Sequence, residues 1–565
     1  MASSHHHHHL MTASPGGGSA PGELSPSFAQ TGAEFSLDDS DVDDFDLQSQ
    51  ARDGRDDDAY EMRAPRRAEH WDAGDEDKLA TDSSVDSFQL YTPDEEIAVR
   101  RKFDRRLVLF VALLYMLSFL DRSNIGNARI AGMDTDLQST PARADWYEWA
   151  LTSFYISYIA FEWMSLLWKV IPAHIYVSML VLSWGLLASL QAVATSYPVL
   201  IALRTLLGIG EAGFTGIPFY LSFFFKRHEL AFRTALFISA APLATSFASV
   251  LAWAIVRVGE HSPIAPWRLL FLIEGFPSVI VSAIAWSVIP DSPQTASYLT
   301  KREKKVARLR LRAEQPSSSS TKPTSGLKLP EALAVLKDPL AWLPACMFFL
   351  TNMAYSSLPV FLPKILTDMG HDALSAQALS APPYLLSFIV VLLTARLSDR
   401  LRARTPLIVF HAAASCAGYA ALALAEPLAL SATLRYLAVY PAAIGFFNVV
   451  TLLITWTINN QPSSSRQGSG FALMQLVGQC GPLVGTRLYP DKDAPYYGPG
   501  MRTCAGAMLL VTLLAIALWL FLQYRNRKLD REEQAMGEHG SLVEEEGLVG
   551  SGRKKTTGQP FRYML

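Results

Sequence analysis

From about residue 107 to residue 522 the chain alternates apolar runs of roughly 18–25 residues with short polar breaks. Coiled as a helix at about 1.5 Å per residue, such a run crosses a hydrocarbon core of roughly 30 Å. The runs fall at roughly 107–128, 148–168, 175–195, 198–223, 233–256 and 267–289, and then at 340–363, 376–397, 406–426, 433–457, 468–488 and 501–523. Six runs, a polar gap and six more predict an all-α membrane protein, with about twelve transmembrane helices in two six-helix halves.

The flanking segments have a different composition. Residues 1–95 are rich in Ser, Gly, Asp and Glu and cannot bury a core, so we expect a disordered acidic tail. No apolar secretory segment precedes Leu107, which leaves the first span to direct insertion. The His5 to His9 run is set aside from the fold, either as a tag or as a low-complexity stretch. We therefore expect the tail at 1–95, a first half at 96–290, a linker at 291–338, a second half at 339–525 and a second tail at 526–565. The linker carries a basic helical stretch with Lys301, Arg302, Lys304, Lys305, Arg308, Arg310 and Arg312.

Charge sets the expected orientation. The formal net charge of −3 hides an acidic N-terminus and basic loops. Arg100 to Arg106, Lys226 and Arg227, Arg400 to Arg404 and Arg525 to Lys528 all fall on the side of the basic linker, which the positive-inside bias assigns to the cytoplasm together with both termini. Cys346, Cys416, Cys480 and Cys504 lack metal-ligand spacing and read as packing residues. There is no phosphate-cradling loop, no intramembrane zinc motif and no Ser/His/Asp set, which argues against an enzyme or an ATP-driven pump. No cofactor, metal or nucleic-acid partner is expected, and the carrier should work in the lipid bilayer as a monomer.

Ionisable residues inside spans are expensive and so are candidates for function. Asp121 and Arg122 lie deep in the first span, and Glu211 lies near the middle of the fourth. Arg204 precedes Glu211 by seven residues, about two turns, and shares its face. One reading makes these four a structural ion-pair network. The reading we favour makes Arg122 an anion anchor and a carboxylate, Asp121 or Glu211, the proton carrier. Glu162 and Glu274 read as structural, each within reach of an interface or a basic residue. The second half offers polar rather than charged groups, with Asn352, Tyr355, Tyr384 and Trp456 as substrate-binding candidates beside Ser356, Ser357, Asn459, Gln475 and Gln479.

Several segments carry a family resemblance: 119–128 (FLDRSNIGNA), 154–158 (FYISY) with Phe161 and Glu162, 206–214 (LLGIGEAGF), Trp267 and Arg268 with 273–275 (IEG), 290–293 (PDSP), 382–384 (PPY) and 398–402 (SDRLR). In this order they resemble the fungal allantoate permease-like branch of the anion:cation symporter family, within the major facilitator superfamily. The resemblance implies a major facilitator fold and proton-linked uptake of a small organic anion such as a vitamin or ureide carboxylate at the plasma membrane. It also implies proton and substrate roles for Asp121, Arg122 and Glu211, and matches Arg204 to the arginine of the superfamily's fourth-helix motif. The chain departs from the branch at Met164 and Leu166, where Pro and Asn are usual, and at 478–485 (GQCGPLVG). Two rival readings remain: a proton-antiport exporter, whose fifth-helix Gly-Pro signature is missing around Pro242, and a nutrient sensor on the same fold. Removing the tail up to about residue 95 should leave uptake intact, checked by uptake per surface-exposed carrier in a transport-deficient host.

Overall fold

The computed structural model describes residues 91–138, 143–259, 261–312, 335–401, 403–460 and 464–545. Residues 1–90 of the expected tail, most of the linker after Arg312 and the last residues of the chain lie outside the described residues. Among the described residues every regular element is helical. In chain order these are α1 (Pro93–Phe103), α2 (Leu109–Ser123), α3 (Trp146–Ala160), α4 (Ala173–Leu190), α5 (Tyr197–Ala212), α6 (Arg227–Gly259) and α7 (Pro266–Val288). After them come α8 (Lys301–Arg312), α9 (Pro339–Asp368), α10 (Ala373–Leu401), α11 (Thr405–Ala423), α12 (Ala432–Asn459), α13 (Ser464–Gly478) and α14 (Gly498–Glu545).

Nine segments among the described residues are long and apolar enough to cross a membrane as single helices. The other three crossings, α2, α3 and α13, are continued by shorter turns: Ile125–Ala128 after α2, the 3₁₀ stretch Glu162–Lys169 after α3, and Gly481–Gly485 after α13. A broken helix frees backbone groups that lipid cannot satisfy, so side chains must take them. Beside the break in the second crossing, the fourth also tightens to 3₁₀ at Gly213–Gly216 ahead of Pro218. The Trp168 indole donates to the Gly213 carbonyl (2.8 Å), and the Tyr176 hydroxyl donates to the Met164 carbonyl (2.7 Å). The departure at Met164 noted in the sequence thus falls in this remodelled turn.

Pairing of neighbours builds each half. In the first, α4 packs along α7 and α3 along α5; in the second, α11 packs along both α12 and α14; α6 and α10 meet across the seam between halves. Helix α14 runs on past its apolar part to Glu545, because the polar stretch after Gln523 is rich in helix formers and spaces Lys528 and Glu532 one turn apart (3.8 Å).

At the end bearing α8, hereafter the linker end, ion pairs tie α1 and α8 to the first half. Helix α1 starts inside the stretch assigned to the tail because Thr92 and Glu95 form a capping box. Lys102 pairs with Glu303 (2.7 Å), Arg302 with Glu95 (3.1 Å), Lys226 with Glu96 (2.6 Å) and Arg233 with Asp104 (2.7 Å). At the centre the buried Glu229 meets Arg310 and, at 3.3 Å, Arg100. Burial alone would push the Glu229 carboxyl up, but Arg310, the Lys226 N–H, Arg233 and Arg100 outweigh it and hold it below the usual carboxylate range.

A truncation that spares this network ends before Thr92. Arg310→Ala leaves Glu229 buried with less compensation and should cost on the order of 3–5 kcal/mol. The exposed pair's Arg302→Ala should change stability by no more than about 1 kcal/mol. Melting temperatures in detergent check both. Because the Glu229 carboxyl is lowered on folding, its contribution is complete above the unfolded value of about 4.3 and fades as pH falls through the lower folded value, so the Arg310→Ala deficit should be full at neutral pH and shrink in acid.

Candidate functional site

A cavity of about 60 Å³ lies between the halves, in a measure where one water needs roughly 10–15 Å³. The first half lines it with Tyr115, Ser118, Arg122, Tyr155, Tyr158, Glu211 and Phe237, and the second with Phe348, Asn352, Tyr355, Ser356, Gln475 and Gln479. Its wall is charged on one side and merely polar on the other.

Residues 115, 118 and 122 share one face of α2, three and then four positions apart, and all three reach the cavity. The step to Asp121 turns about 100° around the helix and carries it elsewhere. Arg122 donates to Glu211 Oε2 through Nη2 (2.7 Å) and Nε (3.3 Å), and Ser118 Oγ donates to the same oxygen (2.9 Å). Glu211 Oε1 is buried with no hydrogen-bond partner among the described residues. The guanidinium is also boxed by the rings of Phe119, Phe154 and Tyr158, with centroids 5.8, 5.2 and 5.0 Å away. Only 11% of the Arg122 side chain is exposed and none of that of Glu211, so this is a nearly dry ion pair on the cavity wall.

The remaining candidates separate into two groups. Asn352 and Tyr355 border the cavity, Asn352 Nδ2 donating to the Gly478 carbonyl (3.0 Å) and the Tyr355 hydroxyl lying 3.1 Å from that of Tyr115. Arg204 sits behind the wall and binds backbone, its guanidinium donating to the Asp121 and Arg122 carbonyls at 3.5 and 3.4 Å. Asp121 points at α7, where Ser278 Oγ donates to it (3.2 Å). Tyr384 and Trp456 are fully buried outside the cavity lining, and neither the Tyr384 hydroxyl nor the Trp456 indole has a hydrogen-bond partner among the described residues. Tyr115, Ser118 and Phe237 were not anticipated. Their signal for the first two was present in the spacing back from Arg122, whereas Phe237 becomes a wall residue only because α6 crosses the seam.

The cavity is sealed at the end away from the linker. There the Tyr147 hydroxyl donates to the Val360 carbonyl (2.9 Å), Thr152 and Thr486 share a hydrogen bond (2.8 Å), and Arg129 pairs with Asp491 (2.8 Å) under the Tyr147 ring (4.3 Å). Gly126 faces the Val360 carbonyl so closely that a methyl group there would overlap it.

Two helical halves around a central cleft, sealed at one end and carrying a buried ion pair, define a multi-pass membrane carrier. Residues 111–486 match the Major Facilitator Superfamily, and the chain belongs to it. The fungal protein "MFS transporter prlL", from Fungal sp. (strain NRRL 50135), is 34% identical over 441 residues, covering 76% of this chain and 87% of its own. An Agrobacterium vitis protein whose name assigns it provisionally to tartrate transport is 29% identical, covering 76% of this chain and 92% of its own. Among solved structures, the proton:xylose symporter XylE bound to 6-bromo-6-deoxy-D-glucose superposes with a TM-score of 0.58 at 15% identity, over 73% of this chain and 95% of that one; this likeness is one of fold. The protein is thus a membrane transporter and not an enzyme.

Gly126→Ala should force the turn Ile125–Ala128 away from α9 and loosen the seal. Thr486→Cys, buried in the parent, should then react with an impermeant thiol reagent about tenfold faster, the equivalent of about 1.4 kcal/mol in favour of the open seal.

Proposed function

We infer that the protein is a plasma-membrane symporter that carries a small organic anion together with protons, working as a monomer by alternating access with both termini in the cytoplasm. The observation that carries this reading is the Arg122–Glu211 pair on the cavity wall. Glu211 occupies on Arg122 the place of a substrate carboxylate. An incoming anion competes for the guanidinium, and protonating Glu211 releases it. The pair is neutral with Glu211 ionised, and it is neutral again with Glu211 protonated and a monoanion on Arg122. Anion and proton therefore bind together without leaving an unbalanced charge in a dry site, where such a charge costs several kcal/mol.

Further support comes from the cavity's second wall and from a relative. Asn352, Tyr355, Ser356, Gln475 and Gln479 supply hydrogen-bonding groups for the uncharged part of a substrate. The name of the Agrobacterium vitis relative points to an organic acid. The segments resembling the allantoate permease-like branch, including 119–128 and 206–214, agree with the same class. The basic face at the linker end fits the cytoplasmic side, which would make the sealed end the outer one.

The test is uptake of labelled small carboxylates, tartrate and nicotinate among them, into vesicles under an imposed pH gradient. Arg122→Lys keeps the charge but loses the planar fork, and should raise the apparent KM at least tenfold, in line with the roughly 1.5–3 kcal/mol of a hydrogen bond to a charged group. Glu211→Gln should abolish pH-driven accumulation yet keep exchange of labelled for unlabelled substrate. Accumulation by the Gln variant equal to the parent's would rule out Glu211 as the coupling group, and a parent that accumulates no carboxylate would end the anion reading.

A further inference from the structure

Behind the cavity wall lies a second pair of carboxyl groups. Asp121 leaves α2 on the side facing α7, where its one hydrogen bond among the described contacts is from Ser278. Glu274 sits one turn before Ser278 on α7, which brings its side chain to the same side of the helix. It is 2% exposed, neither carboxylate oxygen has a hydrogen-bond partner among the described residues, and the charged group acting on it is Asp121. Close packing keeps the place dry: Gly275 lies against the backbone of Ala188 and Ser189, and Gly185 against Ser278, so that α7 and α4 meet with almost no gap.

Among the described residues one cation, Arg204, acts on this pair, and it acts on Asp121 alone. Helix α4 contains no Asp, Glu, Lys or Arg. Arg204, on α5, directs its hydrogen bonds to the Asp121 and Arg122 carbonyls and reaches the Asp121 carboxylate through charge alone, where the negative charge of Glu211 outweighs it. Arg122, the nearest residue in sequence, is engaged by Glu211. Two ionised carboxylates are costly together in such a place, and two carboxyls with one proton between them are far less so.

We propose that Asp121 and Glu274 form a second proton-binding site, separate from the substrate cavity, in which one exchangeable proton is shared between the two carboxyl groups. The site has charge −1 with that proton and −2 without it; the proton comes from water and returns to water, and no other bond changes. Since Glu211 acts electrostatically on Asp121, neutralising Glu211 in the cavity alters the hold on the second proton, which links the two sites through charge alone. This deepens the symport reading, but its test needs no substrate.

The experiment is infrared spectroscopy of the reconstituted full chain, following the carbonyl stretch of protonated carboxylic acid as pH is varied, first in H₂O and then in D₂O. The parent should show at neutral pH a band that is lost in both Glu274→Gln and Asp121→Asn, kept in Glu211→Gln with a displaced titration, and shifted on transfer to D₂O. Glu274→Gln mimics a protonated carboxyl in size and should fold. If either variant does not, the parent spectrum and the other variant still decide. A parent with no such band, a band that survives both substitutions, or one that D₂O leaves unshifted would overturn the proposal. Failure of the parent to accumulate carboxylates under a pH gradient would remove the symport reading while leaving this result standing.

Discussion

The arrangement depends on one constraint: Arg122 is a permanent charge with little access to water, and something negative must face it. In this structure that partner is Glu211, held by two guanidinium nitrogens and the Ser118 hydroxyl. The surrounding features follow. The rings of Phe119, Phe154 and Tyr158 exclude water from the guanidinium while offering it their negative faces. Arg204 fixes the backbone of Asp121 and Arg122, and so fixes where the guanidinium can reach. Any group that replaces Glu211 must bring a negative charge of its own.

The two ends of the bundle are built differently. At the sealed end the contacts cross from one half to the other: Tyr147 to Val360, Thr152 to Thr486, Arg129 to Asp491. At the linker end the ion pairs around Glu229 join α1 and the linker helix α8 to the start of α6, in the first half. The first half therefore gathers its flanking helices into one body, and the contacts that would have to break for access to alternate are those of the seal. Few groups hold it, which suits an interface that must open and close.

The apolar runs made the helical architecture legible, because in lipid a helix is the economical way to satisfy a backbone and length alone marks it. Depth in a span likewise drew attention to Asp121, Arg122, Arg204 and Glu211. Direction was harder to read. Asp121 and Arg122 are consecutive, and the turn of one residue sends one towards α7 and the other into the cavity. Arg204 and Glu211 share a face, yet one meets backbone and the other the cavity, since what lies opposite each depends on where α2 crosses. Tyr384 and Trp456 show the limit for uncharged candidates, whose polar atoms say nothing about which neighbour covers them. Glu274 read as structural because an interface or a basic residue such as Arg268 lay within reach in sequence, and only the packing of α7 against α4 and α2 shows how buried it is. The capping box at Thr92 was written in the sequence, but its setting in a polar tail concealed it.

The two ion pairs that lie along the route between the halves differ in what surrounds them. Asp491 of the seal has 40% of its side chain exposed, whereas Glu211 has none, and mobile ions reach the first but not the second. At physiological ionic strength screening acts over about 8 Å in water and hardly at all in a dry wall. The salt content of the medium at the sealed end therefore weakens the Arg129–Asp491 contact while leaving the grip of Arg122 on its partner unchanged, so that the two pairs along one route answer to different surroundings.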